Sequence, residues 1–412
     1  MSQAVVAESA VRFPALRVPE FRLYWLTSTI SMVADNIEHV IGYWLLWELT
    51  HSPFWLGYAV FAHWFPFLVS SLHAGAWADR FDNRYLLQIT QGLYVFCSGA
   101  LGLLYLTGQL QLWHMIVLLL VHGFSGVIQM PSSQVLIHDL VEEADLPNAL
   151  SLAAASRYVA QFLGPMVGGG LLWAFGPGGG LLTNVLIYVP FSLALLVLPA
   201  PRPTAVAPHS ATGWQGIVEG LRFVRQQPVI LGLTLLAAIP AGIVGFAFQA
   251  VMPALAAELG AGQQGYSWLL SANGMGAILG AGVLGYVGRV GHKGLLVCGA
   301  TLLWAGLLVA FAVSPLFWLS FMIMLLVGAS SIVANALGQT LVQALAPDDK
   351  RGRVMGVYAT VVHGPRVVSG LLLGGLAYAL GSAHLALGLL AAVVVVVVAL
   401  LTAALPPVRA LD

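Results

Sequence analysis

Charged side chains are scarce in this chain: they make up 8% of its residues, against about 25% in ordinary soluble domains. A protein surrounded by water needs more charged residues than this on its surface. The composition therefore excludes a soluble enzyme or binding domain. Basic residues are not in excess either, since lysine and arginine together number 16 and aspartate and glutamate also 16. This balance argues against a basic surface that binds nucleic acid.

Cysteine and the known chemical motifs are equally sparse. Cys97 and Cys298 both lie in apolar runs and lack the spacing of a metal site or disulfide framework, so we expect free thiols and no bound metal. No Gly-x-x-x-x-Gly-Lys segment, the phosphate-binding loop of many ATPases, occurs. The sequence therefore gives no support for transport driven by ATP hydrolysis. We therefore expect neither an enzyme nor a cofactor. No cleavable leader pattern precedes the first apolar run, so we expect the N-terminus to be retained.

Long apolar runs, by contrast, fill the chain, in which 59% of residues are hydrophobic. A helix needs about 20 mostly apolar residues to cross a bilayer. Divided at its polar, glycine and proline positions, the sequence predicts an all-α integral membrane protein with twelve spans. They lie at 22–48, 54–77, 84–107, 112–138, 149–174, 180–199, 228–257, 265–287, 294–313, 316–344, 353–380 and 383–404.

The basic residues are distributed asymmetrically between the loops. Of the 16 lysines and arginines, all but Arg157 and Arg366 fall in the terminal segments and in alternate loops, on one side of the predicted bundle. The intervening loops contain none. Because basic loops stay in the cytoplasm, we predict a multi-pass protein of the inner or plasma membrane with both termini cytoplasmic.

The second half of the chain repeats features of the first. The basic pair Arg80 and Arg84 recurs as Arg289 and Lys293 ahead of the ninth span. We predict a six-helix half at 1–199, a cytoplasmic linker with an amphipathic helix at 200–227, and a second six-helix half at 228–412. Two repeated halves with a site between them, near the membrane midplane, are typical of secondary transporters.

Ionisable side chains inside the predicted spans are few, and they are costly enough in hydrocarbon to indicate function. Asp35, Glu38 and His39 share one face of the first span, being three and four residues apart. We predict that they carry the coupling proton, because burial favours a protonated carboxylate and a nearby cation favours an ionised one. Arg157 or Arg366 is the expected cation. Alternatively, Asp35 or Glu38 forms a permanent salt bridge with Arg157 that only holds helices together.

Other polar and aromatic residues at similar depth are predicted to line a substrate cavity. The polar ones are Asn36, His63, His122, Arg157, Gln161, His363 and Arg366. The aromatic ones fit a pocket for bulky amphipathic molecules and are Trp44, Trp64, Phe65, Tyr158, Phe162, Phe246, Trp268 and Tyr358.

The histidines allow a second interpretation. Asp35 and His39 have the spacing of a helical metal pair, which His63, His122 and His363 could complete. The chain would then export a divalent metal or a metal chelate. A lone histidine on an apolar helix is, however, more often a hydrogen-bonded structural residue than a ligand.

Several segments resemble a known transporter family. The segment Gly75-Ala-Trp-Ala-Asp79-Arg80-Phe-Asp82-Asn83-Arg84 is similar to the signature between spans two and three of the major facilitator superfamily, from which Asp82 and Asn83 depart. The stretches 21–25, 48–53, 78–82, 146–150 and 351–356 resemble the branch that contains the enterobactin exporter and macrolide-efflux proteins. The resemblance implies a twelve-helix fold and a proton-driven antiporter that exports drug-like or siderophore-like molecules by alternating access.

The resemblance also assigns two motifs. Gly75, Asp79, Arg80 and Arg84 match the conformational-switch motif, whose charges are expected to hold the two halves together in one facing state; plain anchoring at the basic side is the alternative. Gly164, Pro165, Gly168 and Gly169 resemble the fifth-span motif of antiporters and favour export, although simple helix packing explains them equally well.

These inferences together define the expected partners. They are a small-molecule substrate, protons and the lipid bilayer, with the chain acting as a monomer. A membrane receptor or scaffold without transport activity is the alternative from another class. It would leave the ionisable residues of the membrane interior unexplained.

Overall fold

A computed structural model describes residues 13–199, 214–245, 247–287, 291–347 and 350–411, and within these ranges the chain is almost entirely helical and has no strand. Arg12, Arg202, Phe246, Arg289, the linker residues 200–213 and the His363 side chain lie outside what the structure describes. After a 3-10 turn at Pro14–Arg17 the helices are α1 Pro19–Thr50, α2 Pro53–Arg80, α3 Asn83–Leu106, α4 Leu112–Leu140, α5 Leu146–Val197, α6 Trp214–Gln226, α7 Pro228–Ile243, α8 Ala247–Ala250, α9 Met252–Glu258, α10 Gly262–Val287, α11 Lys293–Ala312, α12 Phe317–Leu345, α13 Arg351–His363, α14 Arg366–Leu380, α15 Ala383–Ala404 and α16 Pro406–Arg409.

About half of these helices are of membrane-crossing length and composition. Eight stretches of the described chain qualify, and α2, whose two arms meet at an angle of 63°, makes a ninth if it counts as one span. Helix α1 has 32 residues but carries Asp35, Glu38 and Glu48 in its interior. The layout is that of an all-α membrane protein and is consistent with the twelve predicted spans.

Some span boundaries differ from the prediction. The fifth and sixth predicted spans are the two arms of α5, 146–175 and 177–197, which are separate helices divided at Gly176, where the backbone is not helical. Gly176 has φ +67°, a conformation that residues with side chains rarely adopt, and Gly180 of the second arm lies beside Leu171 of the first. The chain thus turns back without a separate loop. The eleventh predicted span is interrupted at Pro365, because proline cannot donate the helical hydrogen bond.

The helices pack within two groups. In the first group α1 packs against α5, and α2 and α3 against α4; in the second, α10 and α11 pack against α12 and α15 against α11. The groups meet where α5 contacts α10 and α2 contacts α14. Helix α6 lies in the stretch predicted to be amphipathic and contacts α13 through Arg353 and Glu219, 3.0 Å apart. The division of the chain at 199 and 228 itself stays a prediction.

The bundle has two distinct ends. At one, called the basic end here, the chain enters α1 beside the start of α5, where the Ala15 N–H donates to Asn148, and Arg84 donates to the Leu198 carbonyl. The opposite end carries the turns at His51 and Gly381, both of which have positive φ.

The two groups are packed most tightly near the opposite end. A Cβ placed on Gly57 of α2 would lie 2.1 Å from the carbonyl oxygen of Gly370 in α14, so the two backbones are in direct contact. The Tyr266 hydroxyl donates to the Val40 carbonyl at 2.7 Å, which ties α10 to α1. This contact region, called the glycine seal here and defined by Gly57, Gly370 and Gly374, closes the opposite end between α2 and α14.

A carboxylate also fixes the start of α15 at this end. Glu258 accepts hydrogen bonds from the Ser382 hydroxyl, the backbone N–H groups of Ala383 and His384, and the His384 ring. Burial raises the pKa of Glu258, but these hydrogen bonds outweigh it and lower the pKa to about 2. A negative charge at a helix N-terminus is also favoured by the helix dipole.

We expect Glu258→Gln to lower the melting temperature of the purified protein near neutral pH. The pKa of Glu258 is lower in the folded protein than in the unfolded chain, where it is about 4.3. The ionised carboxylate therefore stabilises the fold above about pH 4.3, and this stabilisation is lost as the pH falls toward the pKa of the folded protein. The two proteins should therefore converge in acid. Melting curves recorded from pH 7 to pH 3 check this, and a difference that does not shrink would contradict it.

Candidate functional site

An imidazole lies between two carboxylates in the interior of the first helix group. Nδ1 of His122, on α4, is 2.9 Å from Oε1 of Glu38, and its Nε2 is 2.8 Å from Oδ1 of Asp35. Both acids belong to α1 and lie three residues apart, so they share the helix face that meets α4. Asp35, His122 and Glu38 are called the central triad here.

The members of the central triad differ in their access to solvent. The side chains of Glu38 and His122 are 5% and 3% exposed, whereas that of Asp35 is 29% exposed. An ionised carboxylate can only accept hydrogen bonds, so His122 donates from both nitrogens when both acids are ionised, and is then an imidazolium. The triad in that form carries one net negative charge. One added proton makes it neutral, and Asp35 is the member through which that proton can enter.

Two further histidines extend this network toward α2. Nδ1 of His39 is 2.7 Å from the backbone oxygen of Asp35, and because a carbonyl only accepts, this nitrogen carries the hydrogen. Nε2 of His39 is 3.1 Å from Nδ1 of His63. One nitrogen of each of His39, His63 and His122 lies within 4.8 Å of the others. Both nitrogens of His122 are nevertheless engaged by carboxylates, and His39 is engaged by His63.

Two tyrosines that the sequence did not predict complete the surroundings of the central triad. The Tyr188 hydroxyl, from the second arm of α5, is 3.4 Å from Oε2 of Glu38. The Tyr94 ring, from α3, lies 4.8 Å from the His122 ring and stacks on Tyr188 at 5.6 Å. Neither the interior of α3 nor the second arm of α5 carries a charged residue, and a tyrosine in an apolar run has no pattern that marks it as functional.

Arg157 does not form the salt bridge that was considered as an alternative. Within the described ranges no ion pair joins Arg157 to Asp35 or Glu38, because His122 occupies both carboxylates. The Arg157 side chain is instead exposed. In this conformation the acids are therefore bound to an imidazole and not to a guanidinium group.

Neighbouring residues of α5 show which way Arg157 faces. Gly164 contacts Asn36 of α1, and Phe162 contacts Gly274 of α10. At 100° per residue, Arg157 and Gln161 lie between these two helix faces, toward the junction of the two helix groups. Asn36 donates within α1 to the Met32 carbonyl and packs at the α5 contact.

Arg366 reaches the same junction from the second group. Its Cζ atom lies 5.3 Å from the centre of the Trp64 ring on α2. It is also within electrostatic reach of His63 and Tyr158. The region at the junction of the two groups where Arg157 and Gln161 of α5, Trp64 of α2 and Arg366 of α14 lie is called the central chamber here.

The predicted aromatic residues divide between the chamber and packing. The Tyr158 hydroxyl donates to Gln339 of α12, which links the two groups beside the chamber. Tyr358 is within electrostatic reach of Tyr158 and Arg366. Trp44, by contrast, is buried and stacks on Tyr266 at 5.7 Å, which is a packing role.

The first residues of the switch motif lie at the basic end. Asp79 and Arg80 are exposed, and no ion pair of either is formed within the described part of the chain. A Cβ on Gly75 would meet nothing within 4 Å. The expected contacts of these residues with the second group are therefore not made in this conformation.

Arg84 is held within the first group. Its Nη2 is 2.6 Å from Oδ2 of Asp82, and its Nη1 donates to the Leu198 carbonyl at 2.8 Å. Burial raises the pKa of Asp82, but the hydrogen bonds and charge of Arg84 outweigh it and hold that pKa below its usual value. Arg84 thus ties the start of α3 to the end of α5.

The glycines of the predicted packing motif lie at two helix contacts. A Cβ on Gly164 would be 2.2 Å from Cβ of Asn36, and Gly168 faces the same helix, α1. Gly169 faces α10, where a Cβ would be 2.9 Å from the Ser267 carbonyl oxygen. Pro165 is buried between these contacts. Their role in a transport cycle stays a prediction.

A family model and a characterised relative both match most of this chain. The family model described as transmembrane secretion effector matches residues 10–412. Enterobactin exporter EntS of Shigella boydii serotype 18 is 26% identical over 370 residues, which cover 87% of this chain and 85% of that protein.

Solved transporter structures share the fold. A bacterial homologue of the human lysosomal transporter Spinster, in an inward-facing and occupied conformation, has a TM-score of 0.70 at 14% identity and covers 95% of this chain and 98% of its own. A D-xylose-proton symporter has a TM-score of 0.70 at 14% identity, with coverages of 94% and 99%.

Proposed function

The chain belongs to the transmembrane secretion effector family of the major facilitator superfamily, and from this membership we propose that it is a proton-coupled exporter of organic molecules. It is a multi-pass membrane transporter and not an enzyme. The proposal concerns the direction of transport, the coupling ion and the class of substrate.

The central triad is the observation that carries proton coupling. Two carboxylates and one imidazole share protons in the bundle interior, and one proton changes their net charge from minus one to zero. A net charge is costly to bury, so the protonated form is favoured when the triad is sealed from water and the ionised form when it is hydrated. A triad exposed to each face in turn would take up a proton on the more acidic side, carry it in the neutral form while sealed, and release it on the less acidic side.

The packing of the two helix groups supports alternating access. The glycine seal closes the opposite end, while Asp79 and Arg80 at the basic end make no ion pair across the groups within the described ranges. We assign this conformation to the state that opens at the basic end. In the other state the seal would part and the switch motif would close, as the family resemblance implies.

The distribution of basic residues supports one orientation of the chain in the membrane. We propose that the basic end, with both termini, faces the cytoplasm of the inner membrane. The conformation would then take substrate from the cytoplasm and release it outside. We propose that a single chain suffices, because the chamber is formed between the two groups of one chain.

A relative's substrate indicates what kind of molecule to test. The Shigella boydii relative is an enterobactin exporter, so siderophore-like and drug-like organic molecules are the first candidates here. A metal exporter that uses Asp35, His39, His63 and His122 has less support, because an ion at the three imidazoles would have to displace a carboxylate from His122.

The test uses proteoliposomes with an imposed proton gradient. Wild-type protein should move enterobactin, or a member of a panel of amphipathic dyes, against its concentration gradient, and a protonophore should stop it. Asp35→Asn combined with Glu38→Gln should reduce gradient-driven flux by about 100-fold, the lower range for a lost proton-transfer group.

The matched control replaces two acids at the basic end, Glu20→Gln with Glu142→Gln, and should keep wild-type flux. Gradient-driven transport that persists unchanged in the Asp35 and Glu38 double variant would overturn the assignment of the central triad. Wild-type protein that moves no member of the panel under a gradient would overturn the proposal of proton-coupled organic export.

A further inference from the structure

Two guanidinium groups border the central chamber from different helix groups. Arg157 lies on α5 of the first group and Arg366 at the start of α14 in the second, and Tyr158, the residue after Arg157, bonds to Gln339 of α12 and so links the two groups here. These are the two basic residues that the sequence places outside the loops and termini. Two cations that come from facing helix groups, beside a hydrogen bond that links those groups, are arranged to hold one ligand between them.

Arg157 has the properties of a ligand-binding cation. It is exposed although it lies in the interior of a membrane helix, and it faces the junction between α1 and α10. Its neighbour Ser156, one position away, is buried and bonded to Thr29 of α1, which fixes the rotation of the helix. The exposure of Arg157 is therefore toward the chamber and not toward lipid.

The acids of the interior do not neutralise this cation. Asp35 and Glu38 are both bonded to His122, and the central triad carries at most one negative charge. With Arg157 and Arg366 counted, the surroundings of the chamber keep a net positive charge in either state of the triad. In a low-dielectric interior that charge attracts an anion strongly.

Trp64 adds a surface for a flat ring. The Arg366 guanidinium lies over its ring at 5.3 Å, so the indole and the guanidinium form one stacked pair at the chamber wall. An aromatic ligand can pack against this pair while its acidic group reaches the guanidinium groups.

We infer that the central chamber binds an aromatic organic anion, with Arg157 and Arg366 contacting the acidic group and Trp64 contacting the ring. This names the substrate class of the exporter proposed above and therefore rests on that function. Guanidinium groups suit carboxylate, sulfonate and phosphate oxygens because they donate two parallel hydrogen bonds.

Equilibrium binding to the purified full-length protein in detergent tests the inference without any gradient. The probes are benzoate, naphthalene-2-carboxylate and anthracene-2-carboxylate, each compared with its neutral carboxamide. At least one carboxylate should bind wild-type protein, and should bind at least about tenfold more tightly than its amide, as expected for hydrogen bonds to charged groups.

Variants locate the site. Arg157→Gln and Arg366→Gln should each weaken carboxylate binding by about tenfold or more and leave amide binding nearly unchanged, because only the charge is lost. Arg366→Lys should retain part of the affinity. The matched control is Arg22→Gln, an exposed arginine of α1 at the basic end, which should bind like wild type.

Failure of the inference is distinct from failure of the proposed function. Equal binding of carboxylate and amide, no binding of any probe, or carboxylate binding that survives both arginine variants would each overturn it. Asp35→Asn with Glu38→Gln should still bind the carboxylate, since binding here needs no proton gradient. A protein that binds aromatic anions yet shows no gradient-driven flux would overturn the proposed proton-coupled export and leave the binding inference standing.

Discussion

Replacing His122 by asparagine should reduce proton-driven transport by about 100-fold, the scale expected when a positioned proton carrier is removed. His122 is the member that bonds to both Asp35 and Glu38, at 2.8 and 2.9 Å. An asparagine cannot carry a positive charge, so two buried carboxylates would lose the cation between them and would hold their protons more tightly. The triad would then stay neutral at both faces, and uphill transport, measured in proteoliposomes with an imposed pH gradient, should stop.

A structural role for His122 predicts a different pattern. If His122 only holds α4 against α1, the variant should lose both gradient-driven flux and counterflow, in which labelled substrate exchanges for unlabelled substrate without a proton gradient. We expect counterflow to persist while uphill flux is lost. His138→Asn serves as the control, because His138 is exposed on the same helix and far from the acids. Loss of counterflow together with uphill flux in His122→Asn would refute the coupling role.

Enlarging Gly57 should shift the protein away from the conformation described here. A Cβ at this position would lie 2.1 Å from the Gly370 carbonyl oxygen, so a leucine must push α2 and α14 apart. Overpacking of this kind costs about 1–3 kcal/mol, which corresponds to roughly a 5–150-fold change in the balance between two facing states. We expect Gly57→Leu to fold, because each helix group keeps its own packing, but to transport slowly.

A buried reporter next to the glycine seal measures this shift. Val60 is 3% exposed and touches Gly370, so a cysteine at Val60, in a chain whose Cys97 and Cys298 are replaced by serine, should react slowly with a maleimide. Adding Gly57→Leu should raise the labelling rate several-fold. Gly92→Leu is the control, since Gly92 on α3 has no neighbour within 4 Å of its Cβ position. Unchanged labelling would show that the seal does not part.

The sequence predicts the membrane fold well because the bilayer imposes a length and a composition on every span. It predicts the breaks less well. The break between the fifth and sixth spans is predicted at 175–179, but its confinement to the single residue Gly176 is not, because no run of polar residues marks that turn. The interruption of the eleventh span follows from Pro365 and could have been predicted from the missing backbone donor.

The candidate site was predictable where it depends on helical spacing. Asp35, Glu38 and His39 lie on one face of α1 as expected, and His63 and His122 join them from two other helices. What spacing cannot tell is which of several cations meets an acid. The acids of α1 pair with His122 of α4 and not with Arg157 of α5. Which of the two reaches the acids depends on the rotation of α4 and α5 against α1.

The depth of the central triad has a consequence for how the cell drives this protein. Asp35 lies about halfway along α1, so a proton bound there crosses only part of the membrane's electric field before it is released on the far side. Each elementary charge that crosses the whole field contributes about 2.3 kcal/mol per 100 mV. If an organic anion leaves the cell as a proton enters, both movements make the inside of the cell more positive. The resting membrane voltage, which is negative inside, therefore assists the cycle even when the pH is equal on both faces.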